Sequence, residues 1–198
     1  MPQAPANLGI VGAHAGYPGR AIALGVFGKR TMTSPPEDEF AHVVRLAPLV
    51  SIDLIIRDNE QKVLVALRTN EPAKGVYFVP GGCILKNETI EAAFNRILKA
   101  ETACTAKLAD ARFLGVFQHF YPTNRFGLSS TGTHYVVLAY EVRFDQRPKV
   151  ILDNQHSRYQ WLHEFELNAR NDVHENTKAY FLAEGKRGLV ARSGGSRN

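Results

Sequence analysis

The chain has 198 residues, of which 44% are apolar and 22% charged, and its formal net charge is +5. This length and apolar content suit one buried core and are small for two full domains. Two cysteines are too few for a disulfide framework, so we expect a reducing compartment and a cytoplasmic protein. Since no apolar run reaches about 18 residues, we expect no membrane partner.

Much of the basic excess lies near the two ends of the chain. These residues are Arg20, Lys29 and Arg30 near the start and Lys186, Arg187, Arg192 and Arg197 near the end. The intervening sequence shows no stripe of basic and aromatic residues, and we therefore expect no nucleic-acid partner.

The composition divides the chain into three parts. Residues 1–36 are rich in Gly, Ala and Pro, contain no acidic residue and have no clear periodicity, which predicts a disordered or non-native extension. Residues 37–186 carry the patterned elements and form the predicted functional domain. Residues 187–198 include Ser and Gly repeats and are predicted to be a flexible tail.

The first elements of the domain are predicted to be strands. Residues 49–57 and 62–68 are β-branched runs separated by four polar residues, which indicates a hairpin. Residues 76–79 form a further predicted strand that stops at a turn, Pro80-Gly81-Gly82.

An amphipathic helix is predicted to follow Thr89, a favourable N-cap. Its apolar residues recur at the helical spacing and are Ile90, Ala93, Phe94, Ile97 and Leu98. One further turn places Glu101 on the same stripe. A carboxylate there needs a partner, and a divalent cation is a suitable one, although fraying of the helix end into water is the simpler alternative.

The rest of the domain is predicted to alternate strands with a closing helix. Strands at 113–121 and 133–144 flank a Gly-rich loop, a short strand covers 159–162, and a helix covers 173–184. Together these elements predict an α/β (α+β) fold with a mixed β-sheet sandwiched between helices.

Four residues between the glycines and the helix end have a recognisable spacing. Gly82, Glu88, Arg96 and Glu101 are similar to the skeleton of the Nudix box, a loop and helix that hold a metal-bound diphosphate. Glu88 and Arg96 are interpreted as structural, because a carboxylate before a helix can brace the loop through a later arginine. Ile97 and Ala100 stand where most Nudix boxes carry glutamates.

Residues 40–185 resemble one Nudix branch, the GDP-mannose mannosyl hydrolases, which also lack those two glutamates. The matching stretches are Pro48-Leu49-Val50-Ser51, Arg68-Thr69-Asn70, Phe78-Val79-Pro80-Gly81-Gly82, Gln118-His119-Phe120-Tyr121, Thr133-His134-Tyr135-Val136-Val137-Leu138 and Ala179-Tyr180-Phe181-Leu182-Ala183-Glu184.

This resemblance implies a Mg²⁺-dependent homodimer, with Mn²⁺ as an alternative metal, that hydrolyses GDP-mannose or a related nucleotide sugar. Water would attack the anomeric carbon with inversion and release GDP and free sugar. The implied metal ligands are the Gly81 carbonyl, the Glu101 carboxylate and the Gln155 side chain. Mg²⁺ would complete its octahedron with water and diphosphate oxygens.

The resemblance also implies the remaining site residues. His156, in the polar stretch 153–156, is the expected general base, because an imidazole titrates near neutrality. Arg68 is the expected cation for the departing diphosphate. Asp53 and Tyr135 match residues that meet the sugar or diphosphate, whereas structural hydrogen bonding explains His119 equally well.

Two other functions remain open at this point. A Nudix diphosphatase would cleave the P–O–P bridge of a nucleoside diphosphate sugar and release a sugar phosphate. A nucleotide-sugar binding module would retain the fold without turnover, because Cys83 occupies the substrate-contacting position where the branch carries an arginine.

Replacing Cys83 with arginine is predicted to raise turnover of GDP-mannose. One preorganised donor is worth about 10²- to 10³-fold in rate, and the natural chain lacks this donor unless Lys74, Lys86 or Arg125 substitutes for it. Steady-state kinetics of Cys83→Arg against the natural chain measures the effect. An unchanged kcat would show that a neighbouring cation already compensates.

Overall fold

A mixed β-sheet organises the computed structural model, which describes residues 37–102, 104–150 and 156–182. The described helices are α1 (Glu37–Leu46), α2 (Ile90–Thr102), α3 (Glu164–Ala169) and α4 (Glu175–Ala179). The described strands are β1 (Leu49–Arg57), β2 (Val63–Arg68), β3 (Tyr77–Phe78), β4 (Gly81–Cys83), β5 (Arg112–Tyr121), β6 (Thr133–Arg143) and β7 (His156–Leu162). No described helix is long and apolar enough to cross a membrane.

Strand β1 is central and has a different neighbour on each side. It pairs in parallel with β6 along its whole length, and β5 pairs antiparallel with β6. On the other side, β1 meets β2 only at the pair Arg57 and Val63. Beyond that point β4 pairs with β1, while β3 and β7 pair with β2. The short segment from β3 to β4 therefore crosses from one strand to the other.

Each face of the sheet carries its own apolar core. On one face, α2 packs Phe94, Ile97 and Leu98 against a cluster that includes Ile52 and Leu54. On the opposite face, Leu167 of α3 and Tyr180, which directly follows α4, join a second cluster. Because both faces of β1 are covered, this strand is buried almost throughout. The predicted fold class, a mixed sheet between helices, is confirmed.

Several predicted boundaries are wrong. The turn predicted at Gly81 and Gly82 is strand β4, which pairs with β1. The predicted closing helix begins only at Glu175, because His174 is its N-cap and accepts a hydrogen bond from the Asn176 amide at 3.1 Å. Helices α1 and α3 were not predicted. The predictions for residues 1–36 and 187–198 lie outside the described residues.

A buried carboxylate holds the ends of three strands together, far along β1 from the glycines. Glu141 of β6 is 2% exposed. Its oxygens accept hydrogen bonds from Arg57 at 2.8 Å, Arg143 at 2.8 Å and Arg112 at 3.2 Å. Arg57 also bonds to Glu164 at the start of α3. This cluster therefore ties β1, β5 and β6 to α3.

Glu141→Ala is expected to lower the free energy of unfolding by about 3 kcal/mol or more, because it leaves a buried arginine without its main partner. Urea denaturation measures the change. The matched control is Glu175→Ala, which removes an exposed carboxylate paired with Lys178 and should cost less than about 1 kcal/mol. Equal losses in the two variants would contradict a structural role for the buried cluster.

Candidate active site

A cleft of about 700 Å³ lies beside β4 and the last turn of α2. It is bounded by residues of α1, β1, β2, β4 and α2, and by the loop between β5 and β6. The predicted site residues that line it are Asp53, Arg68, Gly81, Gly82, Cys83, Arg96, Glu101, His119 and Tyr135. Residues from six separate elements of the sequence thus share one cavity. Gln155 lies outside the described residues.

Gly81 allows β4 to lie directly against β1. A Cβ atom at this position would collide with the Asp53 carboxylate and would come within 2.8 Å of the Ile52 carbonyl oxygen. A side chain at Gly82 would instead touch Ile97 at 3.3 Å. Glycine is therefore required at Gly81 by the close approach of two backbones.

Glu88 and Arg96 hold the loop that leads into α2. The Arg96 guanidinium donates to both Glu88 oxygens, at 2.7 and 2.8 Å, and to the Cys83 carbonyl at 2.8 Å. Glu88 also accepts a hydrogen bond from the Leu85 amide at 2.9 Å. Such a bidentate pair is geometrically specific. It fixes the C-terminal end of β4 relative to α2.

Glu101 lines the cleft and contacts His156, which is not among the residues that line it. Glu101 is buried on the apolar side of α2, as the helical spacing predicts. His156 Nδ1 lies 3.4 Å from Glu101 Oε2, and the two side chains are 3% and 8% exposed, respectively. The prediction that residues 153–156 form a polar loop is wrong at His156. This residue is the first of strand β7 and is buried.

In the part of the chain that the structure describes, few protein groups are available to bind a divalent cation. Among the described residues, no cluster of three or more His, Cys, Asp and Glu side chains is arranged to hold a metal ion. Glu101 and the carbonyl of Gly81 both belong to the cleft. This small donor set fits a Mg²⁺ ion that takes its other ligands from a diphosphate and water.

Asp53 belongs to a buried hydrogen-bonded group on the opposite side of β1 from α2. Tyr180 donates a hydrogen bond to Asp53 at 2.5 Å, and its hydroxyl lies 3.2 Å from His119 Nε2. Burial raises the pKa of Asp53 to about 7, although the Tyr180 bond and the charge of Arg68 oppose this shift. Burial, together with the charge of His174, lowers the pKa of His119 to about 3. His119 is therefore neutral at pH 7.

Arg68 and two tyrosines form the neighbouring wall of the cleft. Arg68 Nε donates to the Pro72 carbonyl at 2.9 Å, which fixes its guanidinium. Tyr121 and Tyr135 meet edge to face, with ring centroids 6.0 Å apart. Burial raises the pKa of both phenols, so they stay neutral, while the charge of Arg68 acts in the opposite direction. This wall combines one cation with neutral hydrogen-bonding groups.

Cys83 is a neutral thiol in this environment. Burial raises its pKa to about 11, and the charge of Asp53 adds to the effect. The charges of Arg125 and Arg96 act in the opposite direction. The thiol is therefore unsuited to act as an anionic nucleophile.

The outer wall of the cleft has no counterpart among the site residues predicted from the sequence. Phe40 of α1 meets Phe126 of the loop between β5 and β6 edge to face, with centroids 5.5 Å apart. Arg125 lies over the ring of Phe126 at 5.4 Å. No local signal relates residues this far apart in the sequence. Only the tertiary fold brings α1 and this loop together.

The comparisons with known proteins agree with this arrangement. A family model described as the NUDIX domain matches residues 47–184. The chain belongs to the Nudix family. Its general class is that of the Nudix hydrolases, which act on nucleoside diphosphate derivatives.

Two archaeal relatives share substantial identity with this Nudix chain. The low-salt glycan biosynthesis protein Agl8 of Haloferax volcanii is 42% identical over 127 residues, which cover 64% of this chain and 78% of that protein. The ADP-ribose pyrophosphatase of Methanocaldococcus jannaschii is 36% identical over 101 residues, which cover 50% of this chain and 58% of that protein.

Solved structures share the fold at lower identity. The MutT protein of Methanosarcina mazei Go1 has a TM-score of 0.55 and 17% identity, and the match covers 68% of this chain and 91% of that chain. The NUDIX domain of Shewanella oneidensis NrtR, complexed with ADP ribose, has a TM-score of 0.53 and 19% identity, and covers 74% of this chain and 97% of that chain. These likenesses establish the Nudix fold.

The titrations of Asp53 and His119 are expected to oppose each other in the pH dependence of stability. The pKa of Asp53 is higher in the folded protein than in the unfolded chain, so the folded state holds this proton more tightly. The stability that Asp53 contributes is therefore present at low pH and is lost as pH rises from about 4 to about 7. His119 has a lowered pKa, so its contribution is lost as pH falls from about 6.5 to about 3. Relative to the natural chain, Asp53→Asn should therefore gain stability as pH rises from 5 to 6.5, by at most about 1.4 kcal/mol per pH unit.

His119→Gln should show the opposite slope relative to the natural chain over the same range. Urea denaturation at three pH values measures both slopes. Parallel curves for the natural chain and the two variants would contradict the buried titrations.

Proposed function

We propose that this protein hydrolyses GDP-mannose, or a closely related GDP-hexose, to GDP and free sugar by attack of water at the anomeric carbon with inversion. The observation that carries this proposal is the contact between the box carboxylate, Glu101, and a buried imidazole, His156, 3.4 Å apart. One carboxylate beside one potential base suits a reaction that needs a single metal and a proton acceptor.

The residues of α2 argue against chemistry at phosphorus. Nudix enzymes that gather several metal ions around the attacked phosphorus need several carboxylates for them. Here Ile97 is buried in the apolar core, and Ala100 lines the cleft without a polar group. Glu101 is then the buried carboxylate of α2 that is available to a metal ion. A Mg²⁺ bound there would neutralise charge on the departing diphosphate.

The proposed step balances without a general acid. The water oxygen bonds to the anomeric carbon as the bond from that carbon to the diphosphate oxygen breaks, and the bond electrons leave with GDP. His156 accepts the proton from water, and we assign this to Nε2, because Nδ1 lies toward Glu101. An inverting reaction requires a base on the face opposite the leaving group.

Other residues of the cleft have binding roles in this proposal. Arg68 is held by Pro72 and contributes positive charge for the diphosphate. Asp53 and Tyr135 line the same cavity and can bind sugar hydroxyls. Asp53 has a pKa near 7, so it can accept or donate a hydrogen bond close to neutral pH.

The named relatives support two substrates to different degrees. The Haloferax volcanii relative is named for glycan biosynthesis, which is consistent with a nucleotide-sugar substrate. The Methanocaldococcus jannaschii relative is named an ADP-ribose pyrophosphatase, which favours a second candidate, cleavage of a P–O–P bridge. Identity is higher to the first relative and extends over more of this chain.

Hydrolysis in ¹⁸O-labelled water separates the reactions directly. The full chain is incubated with Mg²⁺ and either GDP-mannose or ADP-ribose, and the products are identified by NMR and mass spectrometry. We expect GDP and free mannose whose anomeric configuration is inverted, with the ¹⁸O label in the sugar. Label in GDP, or release of mannose 1-phosphate, would overturn attack at carbon. Binding of GDP-mannose without turnover would favour the binding module.

Two variants test the roles of individual residues in this assay. His156→Ala is expected to lower kcat by about 10²- to 10⁴-fold, because it removes the proton acceptor. His42→Ala is the matched control, since His42 is exposed on α1 and bonds to the Asp38 carbonyl. EDTA should abolish turnover by the natural chain. A His156→Ala variant that folds and retains full activity would remove the proposed base.

A further inference from the structure

The cleft contains basic side chains that have no role in the proposed reaction. Four basic side chains of the described residues line it, namely Arg68, Lys86, Arg96 and Arg125. Arg68 is already placed against the diphosphate. The other three are candidates for the charge that is lost at Cys83.

Arg96 is committed elsewhere. Its Nε and Nη2 atoms donate to the two oxygens of Glu88, and Nη2 also reaches the Cys83 carbonyl. The carboxylate of Glu88 compensates the guanidinium charge within this pair. Arg96 therefore supports the loop rather than a substrate anion.

Arg125 projects from a loop that is internally organised. Its neighbour Asn124 is 4% exposed. The Asn124 side-chain amide donates to the carbonyls of Leu128 and Thr131, at 2.9 and 2.7 Å. Its oxygen accepts from the amides of Phe126 and Leu128, each at 3.0 Å. One buried side chain thus fixes the backbone on both sides of Arg125.

The loop is also held against α1. Phe126 packs edge to face on Phe40, and the Arg125 guanidinium lies over the Phe126 ring. Stacking of this kind suits arginine and leaves its donors available in the plane of the group. The guanidinium therefore lies at the rim of the cleft, where the Arg125 side chain is exposed.

The electrostatic environment of Cys83 distinguishes Arg125 from Lys86. The charges that act on the Cys83 thiol are those of Asp53, Arg125 and Arg96. Among these described cations, Arg96 is paired with Glu88, whereas Arg125 lies over a neutral ring and is better placed to meet a substrate anion. A planar guanidinium can also bind two phosphate oxygens at once, whereas an ammonium acts as a point charge.

We propose that Arg125 binds the diphosphate of the substrate and takes the place of the arginine that Cys83 replaces. This inference rests on the proposed function for its catalytic consequence, because it assigns Arg125 to the leaving group of that reaction. As the bond to the anomeric carbon breaks, negative charge grows on the diphosphate oxygen. A guanidinium at this position stabilises the diphosphate more strongly in the transition state than in the ground state, because more negative charge is present there.

Calorimetric binding of GDP in the presence of Mg²⁺ tests the contact without turnover. Arg125→Gln should weaken GDP binding by about 10- to 100-fold and leave guanosine binding unchanged, because the nucleoside has no diphosphate. The GDP affinity of Arg125→Lys should lie between that of the natural chain and that of Arg125→Gln. Arg45→Gln, an exposed arginine of α1 that is not among the cleft residues, is the matched control. A larger loss in Lys86→Gln than in Arg125→Gln, or unchanged GDP affinity in Arg125→Gln, would overturn the proposal.

The kinetic test combines Arg125 with Cys83. Arg125→Gln should lower kcat for GDP-mannose by about 10²-fold. Adding Cys83→Arg to this variant should restore most of the loss, and the gain in kcat from Cys83→Arg should be larger in the Arg125→Gln background than in the natural chain. Additive effects of the two substitutions would contradict substitution of one arginine for the other. Circular dichroism and thermal unfolding verify that each variant folds.

The two tests separate the two proposals. If GDP-mannose is cleaved at phosphorus or not at all, the proposed function fails, and GDP binding still decides whether Arg125 contacts a diphosphate. If hydrolysis at carbon is observed and neither GDP affinity nor kcat depends on Arg125, only the assignment of Arg125 fails. Absence of GDP binding by the natural chain would overturn that assignment as well.

Discussion

The site depends on the close approach of β4 to β1 at Gly81. Strands β1 and β2 share only one residue pair, so the segment that follows β3 can pair with β1 instead. The absence of a side chain at Gly81 lets this pairing occur beside Asp53. That contact sets the position of the Gly81 carbonyl and of Cys83. The Glu88 and Arg96 pair fixes the end of β4 relative to α2, whose last turn contains Glu101.

Charged groups in this protein are buried in two different ways. At the far end of β1, Glu141 is surrounded by three arginines, and the cluster is a structural junction. In the cleft, the buried groups have fewer opposite charges beside them. Burial there raises the pKa of Asp53 and Cys83 and lowers that of His119, and each shift favours the neutral form of the group. Perturbed groups gathered in a cavity are typical of functional sites.

Local patterns predicted the elements whose own residues decide their structure. The stripe of α2 follows from its 3.6-residue period, which also placed Glu101 on the buried side. The apolar runs of β1, β5 and β6 were recognised for a similar reason. By contrast, β4 is a strand only because β1 offers it hydrogen bonds, and His156 is buried because β7 pairs with β2. Those partners lie far away in the sequence. The glycines at 81 and 82 predicted a turn where the structure has strand β4.

By itself, the sequence determined the fold class, the box spacing and the resemblance to a nucleotide-sugar hydrolase, since these depend on residue types at fixed local intervals. Only the tertiary structure brought His156 to Glu101, Tyr180 to Asp53, and Arg125 to the same cleft as Cys83. Each of these relations joins residues more than 40 positions apart. Their geometry depends on strand pairing and core packing across the whole domain, and no local period or propensity contains that information.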